Sequence, residues 1–196
     1  MLFASFKRVR SSGRENGCSL LEAVLATGLM AGALTSLGQM FAISVANSRS
    51  ARAGSYATVL AQQKLEQLRG LTWSFDSLGR PISDTSTNTA AAIETPTGGT
   101  GLSRSPAGTL TSSTSGWVDY VDEAGSVLGG GTAVLPGTAY IRRWAVEPLP
   151  TSPANAIVLQ VQVTARVVRG AADSDGSNAR QPDEARLTTI KTRKAR

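Results

Sequence analysis

An uncharged stretch, residues 23–48, constrains this chain more than any other feature of its sequence. It is rich in Leu, Ala, Met, Val and Ile, and its apolar character extends back through Leu20 and Leu21, interrupted only by Glu22. About 20 such residues suffice for a helix to cross the ~30 Å hydrocarbon core of a bilayer. The stretch therefore predicts a single membrane-spanning helix, and the alternative is a helix buried in a protein core.

The residues ahead of this stretch, 1–17, form a short basic leader with one acidic residue, Glu15. An ordinary secretory signal has its small-residue cleavage site after the apolar core. Here the Gly17–Cys18 junction lies between the leader and the apolar stretch. A cut at this junction would remove the leader and leave the helix on the mature protein.

The string Gly17-Cys18-Ser19-Leu20-Leu21-Glu22, behind a basic leader and ahead of an apolar helix, resembles the prepilin peptidase site of type IV pilins and pseudopilins. The resemblance implies that the peptidase cuts after Gly17 and that the new N-terminal residue, Cys18, is methylated. It also implies that Glu22 pairs with the N-terminal amine of a neighbouring subunit. The family usually has Phe where Cys18 stands. A cysteine here also suggests a lipoprotein, but in lipoproteins the apolar stretch precedes the cysteine.

Two features of the apolar segment predict contacts with other helices. A carboxylate such as that of Glu22 is costly within an apolar helix and usually has a partner there, although it can also lie at headgroup depth. Gly28 and Gly32 form a small-xxx-small pattern, which permits close approach of helices in membranes. Small residues are also common in such segments without any packing role.

The chain stays helical in pattern beyond the apolar stretch, so that one helix is predicted over 19–69. Ala57, Leu60, Ala61, Leu65 and Leu68 recur on one helical face. Five polar residues are assigned to the helix positions away from this face: Gln62, Gln63, Lys64, Glu66 and Gln67. Residues 60–68 look like the equivalent segment of V-type minor pilins and I-type pseudopilins.

The remaining sequence predicts a loop region followed by a β-sheet. Residues 71–116 are rich in Ser, Thr and Gly and predict a variable loop region. Alternating patterns predict antiparallel strands in a head over 117–196, at 117–121, 126–128, 138–147, 157–168 and 187–190. The expected fold class is α+β, with the amphipathic half of the helix, 49–70, packed against one face of the sheet.

The residue inventory limits the chemistry that the chain can perform. Histidine is absent and Cys18 is the only cysteine, which excludes an intrachain disulfide, a zinc site of several Cys and His ligands, and a nucleophile activated by histidine. The acids Asp119, Asp122 and Glu123 cluster at the predicted hairpin, where turns commonly favour acidic residues. We expect no enzymatic activity and no cofactor.

Two weaker patterns concern ligands. Asp173, Asp175 and Asn178 offer oxygen ligands around a glycine turn that could suit calcium, although a hydrophilic turn explains them equally. Arg193, Lys194 and Arg196 form a basic tail that could contact nucleic acid, although such tails are commonly only solvated.

The resemblance implies a minor pilin or pseudopilin that primes, caps or modifies a filament, with the leader cytoplasmic and the head outside. Its expected partners are other pilins or pseudopilins, the prepilin peptidase, the inner membrane and the assembly machinery in that membrane. A pseudopilin of type II secretion, a surface DNA-binding subunit and a single-pass membrane enzyme are the alternatives.

Processing at the Gly17–Cys18 junction is directly testable. We expect the mature chain to begin at Cys18, because cleavage there removes 17 of the 196 residues and leaves 179. Intact-mass analysis of the membrane-extracted protein, from cells with and without prepilin peptidase, measures this. An intact Met1 in cells with active peptidase would contradict the assignment.

Overall fold

The computed structural model describes residues 19–90, 98–166 and 184–193. A single helix, α1, spans Leu20–Gly70 and contains 51 residues. At 1.5 Å per residue it is about 76 Å long. The predicted helix is therefore confirmed within one residue at each end. The chain divides between Val45 and Ala46 into two compact units, so that the second unit begins within this helix.

Seven strands follow the helix in the described residues. They are β1 Trp73–Phe75, β2 Pro81–Ser83, β3 Val118–Val121, β4 Val127–Gly129, β5 Tyr140–Pro148, β6 Ala156–Ala165 and β7 Glu184–Thr192. β1 and β2 form a two-stranded antiparallel hairpin, and the other five form an antiparallel sheet in the order β4-β3-β5-β6-β7. This arrangement confirms the predicted α+β fold, with a long N-terminal helix and a C-terminal antiparallel sheet.

The face of the sheet toward α1 carries the main core. Side chains alternate between the two faces of a strand. In β6 the buried residues Leu159, Val161 and Val163 thus share one face, while Gln160 and Gln162 lie on the other and are half-buried. Residues of α1 pack against the apolar face and complete one hydrophobic cluster with it. Fully buried members from the helix include Ala57, Leu60, Ala61 and Leu68.

The position assigned to Lys64 was wrong. The buried residues of α1 are Ala57, Leu60, Ala61, Lys64 and Leu68, and the side chain of Lys64 is only 1% exposed. Leu65, which was predicted on this face, is only partly buried. Residues 57, 60, 61, 64 and 68 follow the helical period, so Lys64 lies within the buried stripe despite its charge.

The second face of the sheet is partly covered by loops. All four residues of β3 are buried, although only two of them face α1. The Tyr120 hydroxyl donates to the Gly131 carbonyl at 2.8 Å, and the Arg143 guanidinium donates to the Ser113 hydroxyl at 3.1 Å. The alternation of buried and half-exposed side chains therefore holds in β6 but not in β3. The Ser/Thr-rich loop region supplies part of the cover.

A lysine of the edge strand β7 forms hydrogen bonds with the C-terminal end of α1. The Lys191 ammonium donates to the carbonyls of Leu68, Arg69 and Leu71, at the point where α1 leaves backbone acceptors without helical partners. A cation there also interacts favourably with the helix dipole. The sequence predicted only residues 187–190 as a short edge strand, whereas β7 pairs with β6 over nine residue positions.

Candidate functional site

The first part of α1 presents an exposed, largely apolar helix surface. Every residue from 19 to 49 is exposed, including large apolar side chains such as Leu20 at 84%, Leu29 at 77% and Phe41 at 71%. An exposed apolar surface of this extent is typical of membrane or protein contact. The alternative of a helix buried in the protein's own core does not fit this exposure.

Residues 20–70 form the one helix, within the described ranges, that is long and apolar enough to cross a membrane. The uncharged part, 23–48, would extend about 39 Å at 1.5 Å per residue, against a hydrocarbon core of about 30 Å. The helix is therefore compatible with a single membrane-spanning anchor.

Three hydroxyl side chains of this segment form hydrogen bonds within the helix. The hydroxyls of Thr27 and Thr35 donate to the carbonyls of Ala23 and Ala31 at 2.9 and 3.1 Å, and the Ser36 hydroxyl donates to the Ala33 carbonyl at 2.9 Å. A hydroxyl that bonds to its own helix does not need water. These residues therefore lower the apparent hydrophobicity of the segment while still allowing an apolar environment.

Glu22 and the glycine pair lie on this uncovered surface. Glu22 is exposed in the first turn of α1. A Cβ atom added at Gly28 or Gly32 would meet nothing within 4 Å, so packing within the described chain does not require glycine at either position. Residues four apart share a helix face, which leaves a shallow strip for a neighbouring helix. Their predicted roles in pairing and packing stay predictions.

Several predicted site residues lie outside the described ranges. These are Gly17 and Cys18 of the processing site, Asp173, Asp175 and Asn178 of the calcium prediction, and Lys194 and Arg196 of the basic tail. Among the described residues, no group of three or more Cys, Asp or Glu side chains could hold a metal ion. The calcium prediction is not tested by that finding.

The structure describes one residue of the basic tail, Arg193, in contact with the β1–β2 hairpin. Its guanidinium lies 3.7 Å from the ring centroid of Trp73. It donates to the carbonyls of Ser74, Ile82 and Ala154 at 3.0, 2.7 and 2.8 Å. A nucleic-acid phosphate would have to compete with these bonds, and the proposed role in nucleic-acid binding stays a prediction.

A cluster of buried charges is the strongest polar feature of the head. One carboxylate oxygen of Asp119, Oδ2, lies 2.7 Å from Nζ of Lys64 and 2.7 Å from a terminal nitrogen of Arg142. All three side chains are at most 5% exposed. The Asp119 and Arg142 positions pair directly across β3 and β5, and both face α1.

Further contacts tie this cluster to the helix and to the loop region. The Arg142 guanidinium donates to the Leu60 carbonyl and to the Gln63 side chain, each at 3.3 Å. The Lys64 ammonium donates to the Thr89 carbonyl and lies 3.8 Å from the ring centroid of Trp144. Two cations thus share one anion at a junction of α1, the sheet and the chain near residue 89.

Burial weakens proton binding at Lys64. It is the main reason that the pKa of Lys64 is lowered from 10.5 to about 8; the Asp119 carboxylate opposes this effect, and the nearby Arg142 charge adds a smaller lowering. Lys64 is still mostly protonated at pH 7, since its pKa lies above that value. The cluster joins α1 to the sheet, and the Oδ2 atom of Asp119 forms ion pairs with both cations.

Sequence reasoning missed this cluster, although signals for each member exist. In an extended strand Asp119 lies on the same face as Trp117 and Val121. Arg142 likewise shares a face with Tyr140, Trp144 and Val146. When a charged residue occupies a position that the alternating pattern assigns to the buried face, the pattern indicates a buried charge with a partner. The acids at the hairpin were grouped together, but Asp119 is buried whereas Glu123 is exposed in the turn.

No protein-family model, curated protein or solved structure matches this chain. The resemblance to pilins and pseudopilins accordingly depends on residues 17–22 and on the residues of the long helix.

Neutralising Asp119 should destabilise the head strongly. Asp119→Asn leaves two buried cations without a counter-charge, and breaking a buried ion pair in this way costs about 3–5 kcal/mol. Denaturant unfolding of the full chain in detergent, followed by tryptophan fluorescence, measures the loss. The matched control is Asp122→Asn in the exposed turn, for which we expect about 1 kcal/mol or less. Equal effects of the two substitutions would contradict the structural role of Asp119.

The lowered pKa of Lys64 predicts a rise in stability with pH. Above pH 8 the folded chain releases the Lys64 proton while the unfolded chain keeps it until about 10.5, so the free energy of unfolding increases. Between pH 8 and 9.5 the gain should be about 1–2 kcal/mol. Unfolding of wild type and Lys64→Met across this range isolates the effect, which should disappear in the variant.

Proposed function

We propose that this chain is a pilin-like structural subunit, a minor pilin or pseudopilin, that enters a filament through the first part of α1. The observation that carries the proposal is the contrast within one continuous helix. Its residues 20–49 are all exposed, whereas its second part packs on the sheet through Ala57, Leu60, Ala61 and Leu68. The head therefore folds on the helix without covering the apolar part.

An exposed apolar helix needs a cover other than water. A membrane would supply that cover before assembly, and the helices of neighbouring subunits would supply it in a filament. The glycine strip at Gly28 and Gly32 supports close helix approach, since neither position is crowded in the described chain. The same segment would thus serve first as an anchor and then as the filament core.

Glu22 is the residue that we assign to pairing between subunits. An acid placed mid-membrane costs about 2–3 kcal/mol on insertion scales, so an unpaired one is unfavourable in an apolar packing environment. The amine that becomes free when the chain is cut before Cys18 is a partner of opposite charge on the next subunit. Pairing of the two would set the axial register between helices.

Replacement of Glu22 tests this assignment. Glu22→Ala removes the charge, so membrane insertion and leader cleavage should persist while incorporation into filaments is lost. The fraction of the subunit that co-purifies with sheared filaments or with neighbouring pilins in detergent is the measurement. Glu66→Ala, which removes an exposed acid of the same helix that pairs with Arg69, is the matched control and should incorporate normally.

Normal incorporation of the Glu22→Ala protein would show that helix packing suffices without the acid. In that case the pairing role would be wrong, although the subunit assignment would stand. Absence of both the wild-type chain and the control from every filament fraction would contradict the subunit assignment itself.

A further inference from the structure

A cavity of about 780 Å³ lies in the second unit, against the helix turns that directly follow the uncharged stretch. Its polar and aromatic wall consists of Arg49, Arg52, Tyr56, Glu123 and Tyr140, and its other lining residues are alanines. Ligand sites commonly combine such a volume with a mainly apolar wall and a few polar groups. This cavity is separate from the buried charge cluster and from Glu22.

The two arginines of the cavity wall lie on one face of α1. Arg49 and Arg52 are three residues apart and Tyr56 follows four residues later, so that all three share one face of α1. The rings of Tyr56 and Tyr140 are 5.4 Å apart between centroids. These contacts bring α1 and β5 together at the cavity.

Gly125 positions the turn that carries Glu123. It has φ of +86°, a conformation that side chains rarely adopt, and an added Cβ would lie 2.8 Å from the Tyr56 hydroxyl. The turn therefore approaches Tyr56 closely. Glu123 lines the cavity. Burial raises the pKa of Tyr140, and the nearby charges of Tyr56 and Glu123 raise it further.

The charged groups of this wall are available to a ligand. The Arg49 and Arg52 guanidiniums and the Glu123 carboxylate form no hydrogen bond or ion pair with any residue that the structure describes. All three side chains are exposed. The cavity thus offers two cations and one anion in a wall that also carries two tyrosine rings and four alanines.

We propose that this cavity binds the headgroup of a membrane phospholipid, and specifically phosphatidylethanolamine. The planar guanidiniums of Arg49 and Arg52 match the phosphate, and the Glu123 carboxylate accepts hydrogen bonds from the ammonium group. Tyrosine is well suited to the headgroup level of a bilayer, since one end is apolar and the other is polar. The proposal depends on the membrane insertion of residues 23–48, which would place Arg49 at that level.

This lipid would also explain why two arginines follow the apolar stretch directly. Positive residues favour the cytoplasmic side of a membrane, and the head is expected on the opposite side. Lipid phosphates would supply the counter-charge that the described chain does not provide for Arg49 and Arg52. No contact with another subunit is needed for this binding.

Native mass spectrometry of the full chain tests the proposal. The chain is extracted in detergent and exposed to an equimolar mixture of phosphatidylethanolamine, phosphatidylglycerol and phosphatidylcholine. The wild type should retain phosphatidylethanolamine in preference to both others. Phosphatidylcholine has the same phosphate, but its methylated ammonium cannot donate to Glu123.

Two sets of variants separate the contacts. The double variant Arg49→Gln with Arg52→Gln should lose retention of phosphatidylethanolamine by roughly thirtyfold, as expected for two cations at a lipid surface. The control Arg69→Gln with Arg104→Gln makes the same change of charge at exposed positions away from the cavity and should bind normally. Glu123→Gln should abolish the preference over phosphatidylglycerol.

Equal retention of all three lipids, or unchanged retention by the double arginine variant, would overturn the proposal. So would a dimer that is lost in that variant while lipid retention is unselective, because it would assign the cavity to a second copy of the chain. Flotation with vesicles of pure phosphatidylcholine tests the anchor separately. A chain that floats but shows no headgroup preference has an anchor without this lipid site, whereas a chain that does not float has neither.

Discussion

The carboxylate of Asp119 lies between two cations from different elements, Lys64 on α1 and Arg142 on β5. Removal of three charges from water is expensive, and the loss is recovered only when the partners lie in contact. If the helix shifted by one turn along the sheet, Lys64 would remain buried without its counter-charge. The cluster therefore fixes the position of the second part of α1 on the sheet more strictly than the surrounding alanine and leucine contacts do.

The cover that the sheet gives to α1 is limited to the second part of the helix. The sheet and its loops cover α1 from Ala57 to Leu68, but residues 19–49 have no cover among the described residues. The uncovered part satisfies its own hydroxyls through bonds such as that from Thr27 to Ala23. The exposed part of the helix is therefore compatible with an apolar environment, whereas the part from Ala57 to Leu68 packs against the sheet.

The sequence predicts the elements of this fold well because most of them follow a regular period. The apolar run and the leucine pattern predicted the helix, and the alternation in β6 predicted the central strands. The buried cluster was missed because Lys64, Asp119 and Arg142 were judged as single charged residues, whereas their burial depends on partners that are 23 or more positions apart. The β1–β2 hairpin was missed because its two short strands lie in the segment 71–116, whose composition predicted loops. The cover on the second face of β3 depends on loops, which have no periodic pattern.

The hydrogen bonds from Lys191 to the end of α1 can form only late in the synthesis of the chain. The bond from Lys191 to the Leu71 carbonyl closes a separation of 120 residues, and β7 completes one edge of the sheet. Neither contact can form until residues 184–193 have left the ribosome. The apolar part of α1 is synthesised far earlier, so it is complete before the head can fold. Contacts between residues so far apart also form slowly, and the end of α1 therefore lacks these bonds until β7 has been synthesised.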